Sequence, residues 1–270
     1  MPKIKIKLKF RPGWHIEDTA ITETLLGQQY DLHGGAIDLI FPHHEAEIAQ
    51  MEAISGKKPF VKYWLHTGFL QVNKERMGKS KGNFSRAREV LKDYNKTALR
   101  FLFSSTHYRK PIEFSDESLE TAKNNANKLN EFLLKLNNYK SKSKDNKEIS
   151  KLIKETKNKF EEEMDNDFET ANAITSIFDF TKKINKLISN NEISEKDSKK
   201  IKEFMQEIDS IFGILEEEID VPKEIKELAE EREKARKNKN FKLADQLREE
   251  IKSKGYYIDD TETGIIIKKL

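Results

Sequence analysis

The sequence predicts an α/β domain followed by a longer all-α stretch, with a small helix-and-hairpin region at the end. Three observations carry this. Through about residue 100, the strand-like runs "YDLH", "AIDLIF" and "WLHTGFLQV" alternate with glycine turns and one helical stretch, "HHEAEIAQMEAIS". From about residue 115 glycine almost vanishes, and apolar residues recur at helical spacing. The closing "KGYYIDDTETGIIIKKL" reads as two short strands around a turn.

Taken in order, the first ten residues, "MPKIKIKLKF", alternate lysine with apolar residues and read as a short strand or a tail rather than a signal peptide. "RPGWHIED" follows: Pro-Gly sets a turn, and an edge strand after it puts Glu17 and Asp18 on opposite sides. His33, Gly34 and Gly35 follow a short strand, where paired glycines let a ligand approach the backbone closely or simply make a tight turn. Pro42 suits the opening of a helix that carries His43 and Glu47 four residues apart on one face. In the helical part, Leu129, Phe132, Leu133 and Leu136 form one apolar stripe. Ile174, Ile177 and Phe178 form a second, and Ile201, Phe204 and Ile208 a third. "NNYKSKSKDNKE" and "SNNEISEKDSK" are polar breaks between helices. Residues 223–254 read as a charged helical pair.

Charged residues make up 36 % of the chain, but 50 cations face 47 anions, so the net charge is only +3. Affinity for nucleic acid therefore has to come from local clusters. There is no cysteine, which excludes a disulfide framework and thiolate metal ligands within the chain. No apolar run approaches the roughly 18 residues of a membrane span, so a cytoplasmic protein with no membrane partner is expected.

Several clusters have the residue types for chemistry. His43 and Glu47, at i and i+4, present one nitrogen and one oxygen to a divalent metal, or else simply cap a helix N-terminus. "RMGKSKGNF" sets Arg76, Lys79 and Lys81 beside Gly78 and Gly82, which suits a polyphosphate or a basic surface turn. Arg236, Lys237, Lys239 and Lys242 fall in seven residues without an acid and with Phe241 among them. That is a phosphate-and-base surface or a solvated helix face.

The order of these motifs is more specific than any one of them. "RPGWHIE", "DLHGGAIDLIFPHHEAEIAQ", "YWLHTGFLQV" and "RMGKSKGNF" resemble, in sequence, the second half of the catalytic domain of the cysteinyl-tRNA synthetase family, class I aminoacyl-tRNA synthetases whose last motif is the KMSKS loop. "MDNDFETANAITSIFDF" and the tail from "LAEEREKARKNKNFKLADQLREE" extend the resemblance over nearly everything after residue 10. It implies half of a Rossmann-like catalytic domain over residues 1–105. It further implies a DALR-like, tRNA-binding helical bundle over 106–218 and an anticodon-end region over 219–270. It also implies a reaction: cysteine and ATP, with Mg2+, give cysteinyl-adenylate, and the cysteinyl group passes to the tRNA for cysteine. Implied roles are one zinc ion held by Asp18, His43 and Glu47, and a cysteine pocket walled by Trp14. His33, Gly34, Gly35 and Asp38 line the adenylate site, Lys79 with Arg76 acts on the ATP phosphates, and Arg236, Lys237, Lys239 and Lys242 face tRNA.

Departures are visible. The family has cysteine where Asp18 stands, and a carboxylate leaves a harder metal site. Ala46 replaces the asparagine of the family's "HHENE", and Arg76 and Gly78 replace a lysine and a serine of its KMSKS loop. The HIGH-motif half, with a further metal-binding cysteine, has no counterpart in the sequence. Activity is therefore expected to need that half, supplied separately, and an open sheet edge makes self-association a further expectation. Alternative readings are a catalytically inactive tRNA-binding protein and a ligase joining cysteine to a small amine.

Overall fold

The computed structural model describes residues 13–216, 222–261 and 264–269. The opening "MPKIKIKLKF" lies outside them. The chain forms two compact units that interleave in sequence: residues up to Phe84 with Thr106–Ser115, and Ser85–Ser105 with everything from Asp116.

The first unit opens with α1 (His15–Leu26). Here the structure corrects the strand expected at "RPGWHIED": Glu17 and Asp18 occupy the first turn of a helix. The physical reason is that acids favour the positive end of a helix dipole, where exposed amides await acceptors. Next come β1 (Tyr30–Ala36), α2 (Glu45–Ser55) and β2 (Val61–Thr67). β1 and β2 pair in parallel, in register from Tyr30 opposite Val61 to Ala36 opposite Thr67. α2 stops at Gly56, whose positive φ of 66° a side chain would resist. Met51, Phe60 and Val61 form a buried cluster, with Tyr30, Ile48 and Trp64 packed against it. Thr19 ties α1 to α2 through a 2.9 Å hydrogen bond to Gln50.

"AIDLIF" is not the strand its composition predicts. After Ala36 the chain turns through Ile37–Leu39 and Ile40–His44. Pro42, having no N–H, cannot donate to a ladder. "WLHTGFLQV" is likewise two strands, β2 and β3 (Leu70–Val72), broken at Gly68. A Cβ on Gly68 would meet the Lys110 carbonyl oxygen at 2.4 Å, so this crossing admits only glycine. β3 pairs antiparallel with β4 (Glu75–Arg76) and parallel with β5 (Ile112–Glu113). The β3–β4 turn holds Asn73 and Lys74 at φ 53° and 64°, the conformation that two-residue hairpins prefer. The Glu113 carboxylate accepts both of their amides, at 2.7 and 3.2 Å.

The second unit holds α3 (Ala87–Asp93), α4 (Lys96–Ser104), α5 (Asp116–Asn137), α6 (Lys147–Asp165), α7 (Thr170–Ser189) and α8 (Glu195–Phe212). The sequence stripes are its core: Leu129, Phe132, Leu136, Ile174, Ile177, Ile201, Phe204 and Ile208 are buried, while Leu133 and Phe178 are half-buried. Ser194 and Asp197 form a capping box at the start of α8. Asp197 is fully buried and also accepts the Asn146 amide at 2.8 Å, joining the starts of α6 and α8. Arg100 of α4 donates to the Phe212 carbonyl at 2.6 Å, satisfying the end of α8. The remaining elements are α9 (Lys223–Lys237), α10 (Phe241–Ser253) and the antiparallel pair β6 (Tyr256–Thr261) and β7 (Gly264–Lys269). They close over Ile225, Ala229, Ile251 and Ile258.

Candidate functional site

Three elements converge in the first unit. α1 brings Asp18, the turn before α2 brings His43, and the first turn of α2 brings Glu47. Their ligand atoms all lie within 4.8 Å of one another. His43 Nε2 is 3.0 Å from Asp18 Oδ2 and 2.7 Å from Glu47 Oε1. A single ring nitrogen with at most one hydrogen thus faces two carboxylates. Glu47 is completely buried, yet neither of its oxygens receives a well-directed hydrogen bond, and buried His43 Nδ1 also lacks a partner. Buried acceptors left this way are costly. A divalent cation among the three would neutralise both carboxylates, so the residues present fit a metal. Two oxygens and one imidazole make a harder donor set than one built on thiolates.

Trp14 covers this cluster, its ring stacked on His43 at 3.5 Å between centroids, and is itself 55 % exposed. One side of it is therefore available to a ligand. Behind the cluster lies a layer of aromatic rings. His33 stacks on its register partner Trp64 at 4.7 Å, and His44 Nδ1 faces His66 Nε2 at 2.8 Å. His33 Nδ1 is 3.7 Å from Glu47 Oε2. A Cβ on Gly35 would lie 2.6 Å from the His44 ring, so this glycine is what lets His44 approach the strand. Gly34 is exposed.

Burial dominates the electrostatics. It pushes the Glu47 carboxyl up to about 7, with the Asp18 charge adding to the effect. Burial, then the neighbouring His33, His66 and His43, lowers His44 to about 4. Burial also lowers His33, and burial followed by Glu47 raises the Tyr30 hydroxyl to about 12. The His33 and His44 rings are thus favoured in their neutral form, as their packing against one another and Trp64 requires.

The basic loop forms a second cluster on the same unit. Arg76 donates to Asp38 at 2.7 Å and lies 4.1 Å over the Phe69 ring. After it, Lys79–Lys81 makes one tight turn between Gly78 and Gly82. Asn83 Oδ1 accepts the Gly78 amide at 2.9 Å. Lys79 makes no ion pair among the described residues and lies 5.6 Å from the Phe84 ring. Its charge is therefore free for an anion.

Arg236, Lys237, Lys239 and Lys242 are all exposed at the α9–α10 turn, beside the 61 % exposed Phe241. Lys237 is paired with Glu233 at 2.7 Å.

Of the residues singled out from sequence, the structure gathers Asp18, His43 and Glu47 with Trp14, and Arg76 with Asp38. Sequence reading missed His44 as a packed ring, along with Tyr30, Trp64, His66 and Glu113. The repeat of ring residues at alternate positions in "WLH", set beside "LHGG", was the available signal. It needed the β1–β2 register to become a contact.

Comparison with known proteins finds matches along most of the chain. Residues 8–124 match the class I tRNA synthetase (C) catalytic domain, and residues 159–216 match the DALR domain. The cysteine–tRNA ligase of Oenococcus oeni is 42 % identical over 264 residues, 96 % of this chain and 56 % of the relative. That of Bacillus velezensis is 44 % identical over 262 residues, again 56 % of the relative. The chain thus spans little more than half the length of the curated relatives it matches. A ternary LeuRS–tRNA–LeuAMS complex from Agrobacterium radiobacter shares the fold. It has a TM-score of 0.54 and 15 % identity over 68 % of this chain and 26 % of that one. The chain thus carries segments that match the class I tRNA synthetase (C) catalytic domain and the DALR domain, and it is similar along nearly its whole length to a portion of cysteine–tRNA ligases.

Proposed function

We propose that this chain is the part of a cysteine–tRNA ligase that carries the amino-acid metal site, the ATP loop and the tRNA-facing helices. It would act, together with the rest of the catalytic domain, in ATP-dependent activation of cysteine and transfer to its tRNA. The observation that carries this is the convergence of Asp18, His43 and Glu47 beneath Trp14, in a chain 42–44 % identical to such ligases.

The metal expected there is zinc, which supplies a thiol-seeking centre able to distinguish cysteine from serine. Trp14 walls the amino-acid pocket with its exposed face. His33, Gly34, Gly35 and Asp38 line the adenylate site. Arg76 and Lys79 bring cations to the phosphates of MgATP as charge develops there. Arg236, Lys237, Lys239 and Lys242 contact the tRNA backbone. On this reading residues 1–105 are catalytic, 106–218 the tRNA-binding bundle and 219–270 the anticodon-end region. The setting is the cytoplasm, and no described helix is long and apolar enough to cross a membrane.

Metal analysis tests the reading most directly. Purified chain should hold about one zinc per molecule, and His43→Ala should release it. Chain that takes up no zinc when dialysed against it would remove the basis for cysteine selection. Cysteine-dependent ATP–pyrophosphate exchange, measured with the remainder of the catalytic domain present, tests the chemistry. Lys79→Ala should lower that exchange by roughly a hundredfold.

A further inference from the structure

Residues 138–146 join α5 to α6 and read "NYKSKSKDN". Burial alternates along this connection. Tyr139, Ser141 and Ser143 are half-buried, whereas Lys140, Lys142 and Lys144 are exposed. The inward residues fasten the connection to the turn between α7 and α8. Tyr139 donates to the Ile193 carbonyl at 3.3 Å, and Ser143 to the Asn191 carbonyl at 2.6 Å. Ser141 in turn donates to Ser143 Oγ at 2.9 Å. Asn146 closes the far end: its side chain donates to the Glu192 carbonyl at 3.0 Å and its amide to buried Asp197 at 2.8 Å. A connection without regular structure is thus pinned along its length, and its three outward side chains are all lysines. Neighbours in the row are two residues apart, at most about 7 Å along the chain.

None of the three lysines has an ion-pair partner among the described residues. Asp145, the one acid in residues 140–147, is taken: it accepts from Ser194 at 2.8 Å and lies 3.5 Å from Lys196. Four lysines in those residues leave an excess of +3, equal to the net charge of the whole chain. Glu148, Glu192 and Glu195 are exposed in the adjoining turns, so the excess belongs to the row and not to this whole end of the bundle. Among the described residues, no large hydrophobic between Phe103 and Phe168 is exposed. The row therefore lacks the apolar anchors with which a basic segment enters a membrane surface. It also lacks the desolvated centre of a protein–protein hot spot. What it offers is a line of hydrated ammonium groups, with no outward side chain among them to read a base.

We propose that Lys140, Lys142 and Lys144 grip the phosphate backbone of a structured RNA without regard to its sequence, where α5 ends and α6 and α8 begin. The ligase reading enters only in choosing RNA as the polyanion. The contact is separate from the basic cluster at the α9–α10 turn. The pinning serves it, because a lysine row held outward beforehand gives up less freedom on contact than one on a loose loop.

The test titrates the full 270-residue chain with a duplex RNA unrelated in sequence to any tRNA, across a salt series. Lys140→Gln, Lys142→Gln and Lys144→Gln together should lower the slope of log affinity against log salt by about 2–3, roughly one per lost phosphate contact. Affinity at low salt should fall by roughly tenfold or more. Lys57→Gln, Lys92→Gln and Lys159→Gln together remove the same charge from scattered exposed sites and should leave the slope unaltered. Ser141→Ala with Ser143→Ala keeps every charge but unpins the row. It should weaken binding by roughly threefold to tenfold at an unchanged slope, and a serine pair that makes no difference would refute the role given to the pinning. Urea unfolding confirms that each variant is folded. An unmoved slope in the row variant, or an equal fall in the scattered variant, would overturn the proposal. So would binding to phosphatidylserine vesicles that the row variant loses while its RNA binding stays intact. Pyrophosphate exchange, with the remainder of the catalytic domain present, should be the same for the row variant and the unaltered chain. A slope that falls in a chain without exchange would uphold the RNA contact and refute the ligase reading, and exchange with an unmoved slope would do the reverse.

Discussion

Glu47 is the residue on which the site turns. Its carboxylate is fully buried, close to a second carboxylate and without a directed hydrogen bond. Glu47→Gln should therefore raise the stability of metal-free chain by roughly 1–3 kcal/mol, the usual cost of an unsatisfied buried polar group. The same change should weaken zinc binding by at least roughly tenfold, because a neutral amide oxygen replaces an anionic one of the three donors. Melting with and without zinc reads both effects, and a Gln variant less stable in both states would refute the argument. The His43–Glu47 pair was legible in the sequence because helical spacing alone brings i and i+4 together. Asp18 was not legible from spacing: it reaches the cluster from α1, and the residues around it read as a strand. It was the family resemblance that placed it. The ring layer of His33, Trp64, His44 and His66 was invisible for another reason. Its contacts depend on the register of two strands separated by a helix, which no local pattern encodes.

At the scale of elements, most helices were legible and their start points less so. Apolar stripes fixed α5, α7 and α8, since each needs only one buried face. Strands fared worse. "GFLQV" and "WLHT" share a hydrophobic texture, and only the close passage of Lys110 at Gly68 divides them. Two elements carry separate predictions. Glu113 on β5 accepts both amides of the turn between β3 and β4, from which the basic loop springs. Glu113→Ala should speed amide exchange at Asn73 and Lys74 while changing global stability by less than about 0.5 kcal/mol, as for an exposed residue. Exchange that stays slow would mean the turn holds itself. Asp197 is the contrasting case, buried and serving amides at the starts of both α6 and α8. Asp197→Ala should lower the stability of the helical unit by roughly 1–3 kcal/mol in urea unfolding, because it strands two donors at once.

For the whole molecule, a net charge of +3 makes general attraction to RNA weak, so any binding must trace to local clusters. Each of Arg236, Lys239 and Lys242 that contacts a phosphate should, when changed to Ala, reduce the slope of log affinity against log salt by about 1. Filter binding with tRNA across a salt series measures this, and an unchanged slope would place the RNA elsewhere. Lys237, paired with Glu233, gives up that partner to reach a phosphate, so its slope change reports that exchange.

The two compact units are threaded through one another along the sequence. The chain leaves the first unit after Phe84, returns to it for Thr106–Ser115, and leaves again. That short return carries β5, whose Glu113 holds the turn before the basic loop. A gene cut near residue 85 would therefore strand the loop without its support, and a cut near residue 105 would leave α4 behind without α5. No single cut in the sequence separates the two units. A graft that moves the loop to another scaffold has to take residues 106–115 with it.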